Sequence, residues 1–193
     1  MKSSGIKTST VLASFLLAAC LSMHAEVKLP AIFSDGMVMQ QQTNANLWGM
    51  ATPNKKVTVT TGWNGKQYAV TADKNGSWKL SVSTPEAGGP YTITFDDGTP
   101  KTLNNILIGE LWLCSGQSNM EMPMKGFKNQ PVENANMDIL RSKNPHIRLF
   151  TVKRTSTITP QNDVVGSWKE AAPVSVRDFS ATAYYFGRLV NEI

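Results

Sequence analysis

The chain has 193 residues, which is enough for one ordinary domain or two small ones. With 41% hydrophobic and 17% charged residues, its composition is that of a globular protein and not of a disordered one. The net charge of +5 comes from basic residues scattered along the chain, without the clustered basic face that nucleic-acid binding requires. We therefore expect no nucleic-acid partner.

Residues 1–25 have the pattern of an export signal. A positively charged start is followed by an apolar core at residues 11–21 and by small residues up to Ala25, so cleavage after Ala25 is predicted. In the alternative, Leu17–Cys20 (LAAC) is a bacterial lipobox, and Cys20 is acylated and becomes the first residue. Membrane contact is expected only in that second case. Both alternatives predict export, to the periplasm or the extracellular space.

Residues 26–105 show apolar side chains at every second position, as in KVTVT at Lys56–Thr60. Turn-forming dipeptides separate these runs, at residues 64–65 (NG), 75–76 (NG), 88–89 (GG) and 97–98 (DG). Short alternating strands with frequent turns are typical of an antiparallel β-sandwich. We predict that residues 26–105 form such a domain, with a structural role.

The spacing of apolar residues changes after residue 105. Ile106–Cys114 is almost continuously apolar, which favours a strand buried on both faces, and His146–Val152 is a second strand candidate. Ser180 is placed to cap a final helix whose apolar face comprises Ala183, Phe186, Gly187 and Val190. This order of strands and helices indicates an α/β domain. Because two strands cannot form a covered parallel sheet, we expect residues 106–193 to be only its first part.

The segment LWLCSGQSNMEMPM (Leu111–Met124) has the features of a nucleophile site. A strand ending at Cys114 would deliver Ser118 to the carboxyl edge of a sheet, after a turn permitted by Gly116. Unpaired N–H groups at the start of a helix can stabilise an oxyanion. The placement is similar to a nucleophile elbow, although G-x-S-x-G is absent. The local pattern equally allows Ser115 or Ser118 to be a simple helix cap.

The block IGELWLCSGQSNMEMPM (Ile108–Met124) resembles the signature of the sialate O-acetylesterase family, in the SGNH (GDSL-like) hydrolase superfamily. Its most specific element is GQSNM. Four further stretches are similar to the same family: IFSDGMVMQQ, LWGMATPNKKVTV, GGPYTITF and SATAYYFGRLV. Together they extend the resemblance over essentially all of the chain after residue 25.

This resemblance implies a β-sandwich (residues 26–105) followed by the N-terminal part of an SGNH-type α/β hydrolase domain (residues 106–193), in a serine esterase that removes O-acetyl groups from sialic acids. It implies that Ser118 is the nucleophile and that its N–H contributes to the oxyanion hole. Gln117 and Asn119 match the flanking positions, where they either shape the acetyl pocket or brace the turn. Another acetylated glycan, such as xylan, is an alternative substrate. The family's catalytic histidine and aspartate belong to later blocks, so this chain alone is expected to have little activity.

No residue of this chain is a good candidate for the base. His24 lies in the leader, and His146 follows a proline just before a strand, which suggests a surface turn. Cys114 closes an apolar run and is expected to be a buried small residue without a disulfide partner. Glu110 and Glu121 flank the block as a possible acid–base pair of the glycosidase type, but nothing fixes their separation.

No metal-ligand spacing is present, so we expect no metal and no cofactor. The competing class of function is a non-catalytic carbohydrate-binding module, in which Trp63 in the TGWNGK turn stacks on sugars. The simpler interpretation of Trp63 is a side chain folded over the sandwich edge, and we favour it.

Overall fold

The structure, a computed structural model, describes residues 26–193, so the leader predictions, including Cys20, fall outside the described residues. Seven strands come first in the chain: β1 (Val38–Gln40), β2 (Asn44–Met50), β3 (Lys56–Thr61), β4 (Gln67–Thr71), β5 (Ser77–Ser83), β6 (Gly88–Asp96) and β7 (Lys101–Gly109). The remaining elements are α1 (Ser118–Glu121), α2 (Ala135–Leu140), β8 (Asn144–Phe150), β9 (Trp168–Ala171), α3 (Pro173–Val176) and α4 (Ala181–Glu192). No helix within residues 26–193 is long and apolar enough to cross a membrane.

The first seven strands form two sheets that share one core. One sheet has the order β1-β7-β6-β3-β4, with β1 parallel to β7 and the other neighbours antiparallel. The second sheet pairs β2 with β5 in antiparallel register. Side chains from both sheets are fully buried in the core, among them Leu47, Val57, Val59, Val82 and Phe95. Each such side chain contributes about 1.5–3 kcal/mol when it leaves water, so the alternating pattern is what stabilises this unit.

The four predicted turns have different outcomes. Asn64–Gly65 connects β3 to β4 and Asp97–Gly98 connects β6 to β7, and both pairs of strands are antiparallel hairpins as expected. Asn75–Gly76 precedes β5, which pairs with β2 and not with β4, so this turn carries the chain from one sheet to the other. The prediction for Gly88–Gly89 was wrong, because both residues lie inside β6.

A second and smaller core lies in the C-terminal half. It includes Met124, Ile147, Leu149, Val176 and Tyr184, contributed by β8 and by the helical segments around it. Strand β8 confirms the expected second strand, with bounds two residues earlier than predicted. Its partner is β9, and the two are antiparallel. Ser180 caps α4 as predicted, since its Oγ accepts the N–H of Ala183 at 3.3 Å.

The strand predicted at Ile106–Cys114 requires correction. The observed strand β7 begins at Lys101 and ends at Gly109, and it belongs to the five-stranded sheet and not to a sheet with β8. The expected change of domain at residue 106 therefore falls inside a strand. A continuous apolar run indicates burial but carries no information about which strands will flank it, which is why periodicity alone misplaced this one.

Candidate active site

The segment that leads to Ser118 is held by side-chain hydrogen bonds at the point where it leaves β7. The Glu110 carboxylate accepts hydrogen bonds from the side-chain amides of Gln41 (2.7 Å) and Gln40 (3.1 Å). The Gln40 side-chain oxygen in turn accepts the backbone N–H of Leu111 at 2.9 Å. The bonds from the two glutamine amides, with Gln41 first, hold the pKa of Glu110 below its usual range. The polar contact explains why a glutamate interrupts the apolar run, and its glutamine partners could not be identified from the sequence.

Beyond Glu110 the chain is neither a strand nor buried. Leu111, Trp112 and Leu113 are exposed, Leu113 to 91%, and Trp112 meets the ring of Phe186 edge-on at 5.0 Å between centroids. Cys114 is also exposed, so the prediction that it is a buried small residue was wrong. Apart from this contact with Phe186 of α4, the apolar side chains of Leu111–Leu113 are largely exposed to solvent in the described part of the chain, a few residues before Ser118.

Ser118 is the first residue of the one-turn helix α1, and it is exposed. The residue that caps the helix is Gln117, whose carbonyl accepts the N–H groups of Met120 and Glu121, both at 3.0 Å. Neither Ser115 nor Ser118 caps the helix through its side chain, so the capping alternative does not explain either serine. Across the described range, the Ser118 N–H has no protein acceptor. A hydroxyl and an N–H group are thus available together at one exposed residue, as a nucleophile with an oxyanion donor requires.

The residues flanking Ser118 contribute through the backbone. The Asn119 carbonyl accepts the hydroxyl of Thr182, from α4, at 3.0 Å. In the part of the chain that the structure describes, the side chains of Gln117 and Asn119 make no hydrogen bond, and both residues are exposed. The structure therefore shows Asn119 bracing the turn with its main chain, while both side-chain amides are unengaged.

The chain after Ser118 is fixed firmly to the second core. The Met122 carbonyl accepts the N–H of Ala181 at 2.8 Å, and the Met124 N–H donates to the Phe179 carbonyl at 2.9 Å. The Met124 side chain is fully buried, whereas Met122 is half-buried. The Met124 side chain therefore packs within the second core. As a result, the position of α1 is set by α4 and the chain preceding it.

No base is in contact with Ser118. Among residues 26–193 no histidine or carboxylate accepts a hydrogen bond from its hydroxyl. His146 is exposed in β8, and its backbone N–H donates to the Asn144 side chain at 2.9 Å. Glu121 is paired with Arg154 at 2.5 Å, and Glu110 is held by its own glutamines, so the two glutamates do not form an acid–base pair.

The Trp63 side chain is engaged at the sheet edge, and the two cavities described below do not reach Ser118. Trp63 donates its indole N–H to the Ser83 carbonyl at 3.1 Å and packs edge-to-face on Tyr91, as a side chain folded over the sheet edge would. Two cavities, of about 590 and 130 Å³, are lined by residues that include Pro30 of the β-sheet unit, and Ser118 lines neither.

The known proteins to which this chain is similar are acetylesterases. The chain is 30% identical to the sialate O-acetylesterase of Mus musculus over 92% of this chain and 36% of that protein. It is 26% identical to the sialate O-acetylesterase of Homo sapiens over 83% of this chain and 34% of that one. A carbohydrate acetylesterase from Xanthomonas citri superposes with a TM-score of 0.80 at 30% identity, covering 86% of this chain and 37% of its own. No protein-family model matches. The chain thus spans about a third of the length of the curated relatives it matches.

Proposed function

This chain is a homologue of the sialate O-acetylesterases over most of its length, and from that relation we propose that it is part of an esterase that removes acetyl groups from sugars. Its proposed substrate is O-acetylated sialic acid, with another acetylated glycan such as xylan as the alternative. The mostly β-sheet architecture, shared with a solved carbohydrate acetylesterase at a TM-score of 0.80, supports the general class of activity.

The observation that carries the proposal is the setting of Ser118. This serine is exposed, does not cap its helix, and offers its own N–H beside its hydroxyl. In the proposed reaction the Ser118 Oγ attacks the acetyl carbonyl carbon, and the backbone N–H stabilises the resulting oxyanion. The sugar oxygen leaves with a proton, an acetyl-enzyme forms, and water hydrolyses it. The unengaged amides of Gln117 and Asn119 are the proposed contacts to the substrate.

The reaction needs a base that takes the Ser118 proton, and we propose that it comes from protein outside these 193 residues. Within the described residues, none accepts that proton, and the relatives are about three times as long as the stretch they share with this chain. The apolar segment Leu111–Leu113, together with Phe186 and Leu189 of α4, is exposed and is the proposed contact for that further protein. The chain by itself should therefore release little acetate.

The division of the chain into two domains and its export from the cytoplasm are part of the same proposal. Residues 26–109, up to the end of β7, would form a β-sandwich domain, which the core shared by the two sheets supports. The residues after Gly109 would form the N-terminal part of an SGNH-type hydrolase domain, supported by the separate second core. The leader pattern supports export to the periplasm or extracellular space, with cleavage after Ala25 or acylation of Cys20 as the alternatives.

The test is acetate release by the protein isolated from its native cells, with its intact mass measured first. We expect a mass well above the 21.1 kDa of this chain and release of acetate from O-acetylated sialic acid. Ser118→Ala should lower the rate at least about a thousandfold, as removal of a catalytic nucleophile does. Ser115→Ala is the matched control, because Ser115 is exposed three residues earlier and should be dispensable. A Ser118→Ala protein that retains its activity would contradict the proposal.

The isolated 193-residue chain gives a second, independent result. It should be inactive, and acetate release that survives His146→Ala but vanishes in Ser118→Ala would show that the chain needs no outside base. Parallel assays on acetylated xylan decide between the two substrate classes. Glycan binding that depends on Trp63 without any acetate release would favour the binding-module alternative, although the hydrogen bond from Trp63 to Ser83 argues against it.

A further inference from the structure

The connection between β8 and β9 is a long exposed segment, the 151–167 loop, that has no helix or strand. Its far part is fixed to the β-sheet unit at two points. The indole N–H of Trp48 donates to the Asn162 carbonyl at 3.1 Å, and the Asp163 carboxylate accepts the backbone N–H of Ala31 at 2.7 Å. The loop is therefore held in place although most of its residues are exposed.

The near part of the 151–167 loop reaches the helix that carries Ser118. Lys153 donates its backbone N–H to the Val165 carbonyl at 2.7 Å, which joins the two arms of the loop. The next residue, Arg154, has its Nη1 atom 2.5 Å from Oε1 of Glu121. Glu121 follows Ser118 by three positions in α1, and helical residues three apart have Cβ atoms about 5–6 Å from each other. The Arg154 guanidinium is thus held by the helix that carries the candidate nucleophile, through a residue three positions after it.

This guanidinium has most of its hydrogen-bonding capacity unused. Arginine offers five N–H donors in a planar fork, and within residues 26–193 only Nη1 of Arg154 has an acceptor. The side chain is 86% exposed, so its remaining edge is accessible to a ligand. The pair with Glu121 is exposed, and such pairs contribute little to stability, but it directs the guanidinium towards α1. A side chain that already favours the position it takes in the complex loses less entropy when a second carboxylate binds.

We propose that Arg154 binds the carboxylate of an acidic sugar while Ser118 attacks an acetyl ester of the same sugar. The inference rests on the proposed function and adds the residue that selects the substrate. A carboxylate matches the planar fork of arginine with two parallel hydrogen bonds, and sialic acid carries one. A neutral acetylated sugar offers only uncharged oxygen acceptors, so it gains less from this contact. Arg154 therefore favours sialate esters over neutral ones.

The inference is tested by binding to the full 193-residue chain, since carboxylate binding requires neither a base nor the Ser118 hydroxyl. The probes are N-acetylneuraminic acid and its uncharged methyl ester, titrated by NMR or calorimetry. We expect the wild-type chain to prefer the acid, and Arg154→Gln to weaken acid binding by about tenfold or more and to remove the preference. Arg141→Gln is the matched control, because Arg141 is exposed and forms no ion pair in the described part of the chain. Acid binding should also weaken with added salt.

Two results would overturn the inference: no binding of the acid by the wild-type chain, or equal affinities in wild type and Arg154→Gln with both folded by near-UV circular dichroism. The outcome is separable from that of the esterase proposal. If Arg154→Gln weakens acid binding but the native protein releases no acetate, the carboxylate site stands and the esterase proposal fails. If acetate release needs Ser118 but Arg154→Gln keeps its preference for acidic over neutral esters, the esterase stands and this inference fails.

Discussion

Arg148 joins the two halves of the chain, and its replacement provides a quantitative test of the structure. Its side chain is only 4% exposed. The guanidinium donates to the Pro145 carbonyl at 2.9 Å and to the Asn105 side-chain oxygen at 3.0 Å, and it lies 3.3 Å from the Glu170 carboxylate. Asn105 belongs to β7 and Glu170 to β9, so one buried cation connects the five-stranded sheet to the second core.

Arg148→Met removes these donors and leaves the Pro145 carbonyl and the Asn105 side-chain oxygen without this partner, while Glu170 keeps the hydrogen bond from the Asn105 amide. A hydrogen bond to a charged group contributes about 1.5–3 kcal/mol, and breaking a fully buried ion pair costs about 3–5 kcal/mol. Because the Glu170 side chain is 51% exposed, water replaces part of what it loses. We therefore expect a loss of about 2–3 kcal/mol in the free energy of unfolding. Arg148→Lys should lose about 1–2 kcal/mol, because a single ammonium group cannot reproduce the fork.

Urea unfolding followed by both tryptophan fluorescence and far-UV circular dichroism measures the effect. With a slope of about 2 kcal/mol per molar urea, Arg148→Met should lower the midpoint by about 1–1.5 M. The matched control is Arg141→Met, on the exposed surface, which should stay within about 0.5 kcal/mol of wild type. A midpoint for Arg148→Met that equals that of Arg141→Met would refute the reasoning.

Two further predictions concern single sites. The Tyr185 hydroxyl and then the Arg188 guanidinium hold the pKa of Asp138 below its usual range, so its stabilising effect is complete above the unfolded-state pKa of about 3.9 and is lost as pH falls through the lowered folded-state value. At pH 6 the free energy of unfolding of the wild type should exceed that of Asp138→Asn by about 1–2 kcal/mol, and this difference should shrink as the pH is lowered towards 2. Thermal unfolding of both proteins across this pH range measures the difference, and a difference that does not depend on pH would contradict the prediction. Gly76 and Gly65 both have positive φ, but a Cβ at Gly76 would overlap the Ala51 carbonyl oxygen while one at Gly65 meets nothing within 4 Å. Gly76→Ala should therefore cost about 2–4 kcal/mol and Gly65→Ala about 1 kcal/mol, and equal losses in urea unfolding would rule out the steric contribution.

Several features of the fold were predictable because they depend on neighbouring residues. Period-two alternation predicted the strands whose inward side chains, such as Val57 and Val59, are fully buried. The dipeptides Asn64–Gly65 and Asp97–Gly98 predicted hairpins because asparagine and glycine tolerate the backbone angles of tight turns. Ser180 was predicted as a cap because capping needs only an oxygen within three residues of the donor. The motif around Ser118 likewise indicated the sialate O-acetylesterases, because its residues are contiguous in the chain.

Only the tertiary structure decided where the chain leaves the sheet and what surrounds the candidate site. Glu110 meets glutamines 69 and 70 residues earlier, Arg148 meets Asn105 43 residues away, and Trp168 donates to the Ile32 carbonyl across 136 residues. The exposure of Cys114 and the contact between Arg154 and Glu121 have the same origin. Local patterns record whether a side chain prefers burial or a turn. They carry no information about which distant group will meet it, because that choice depends on how whole sheets and loops pack together.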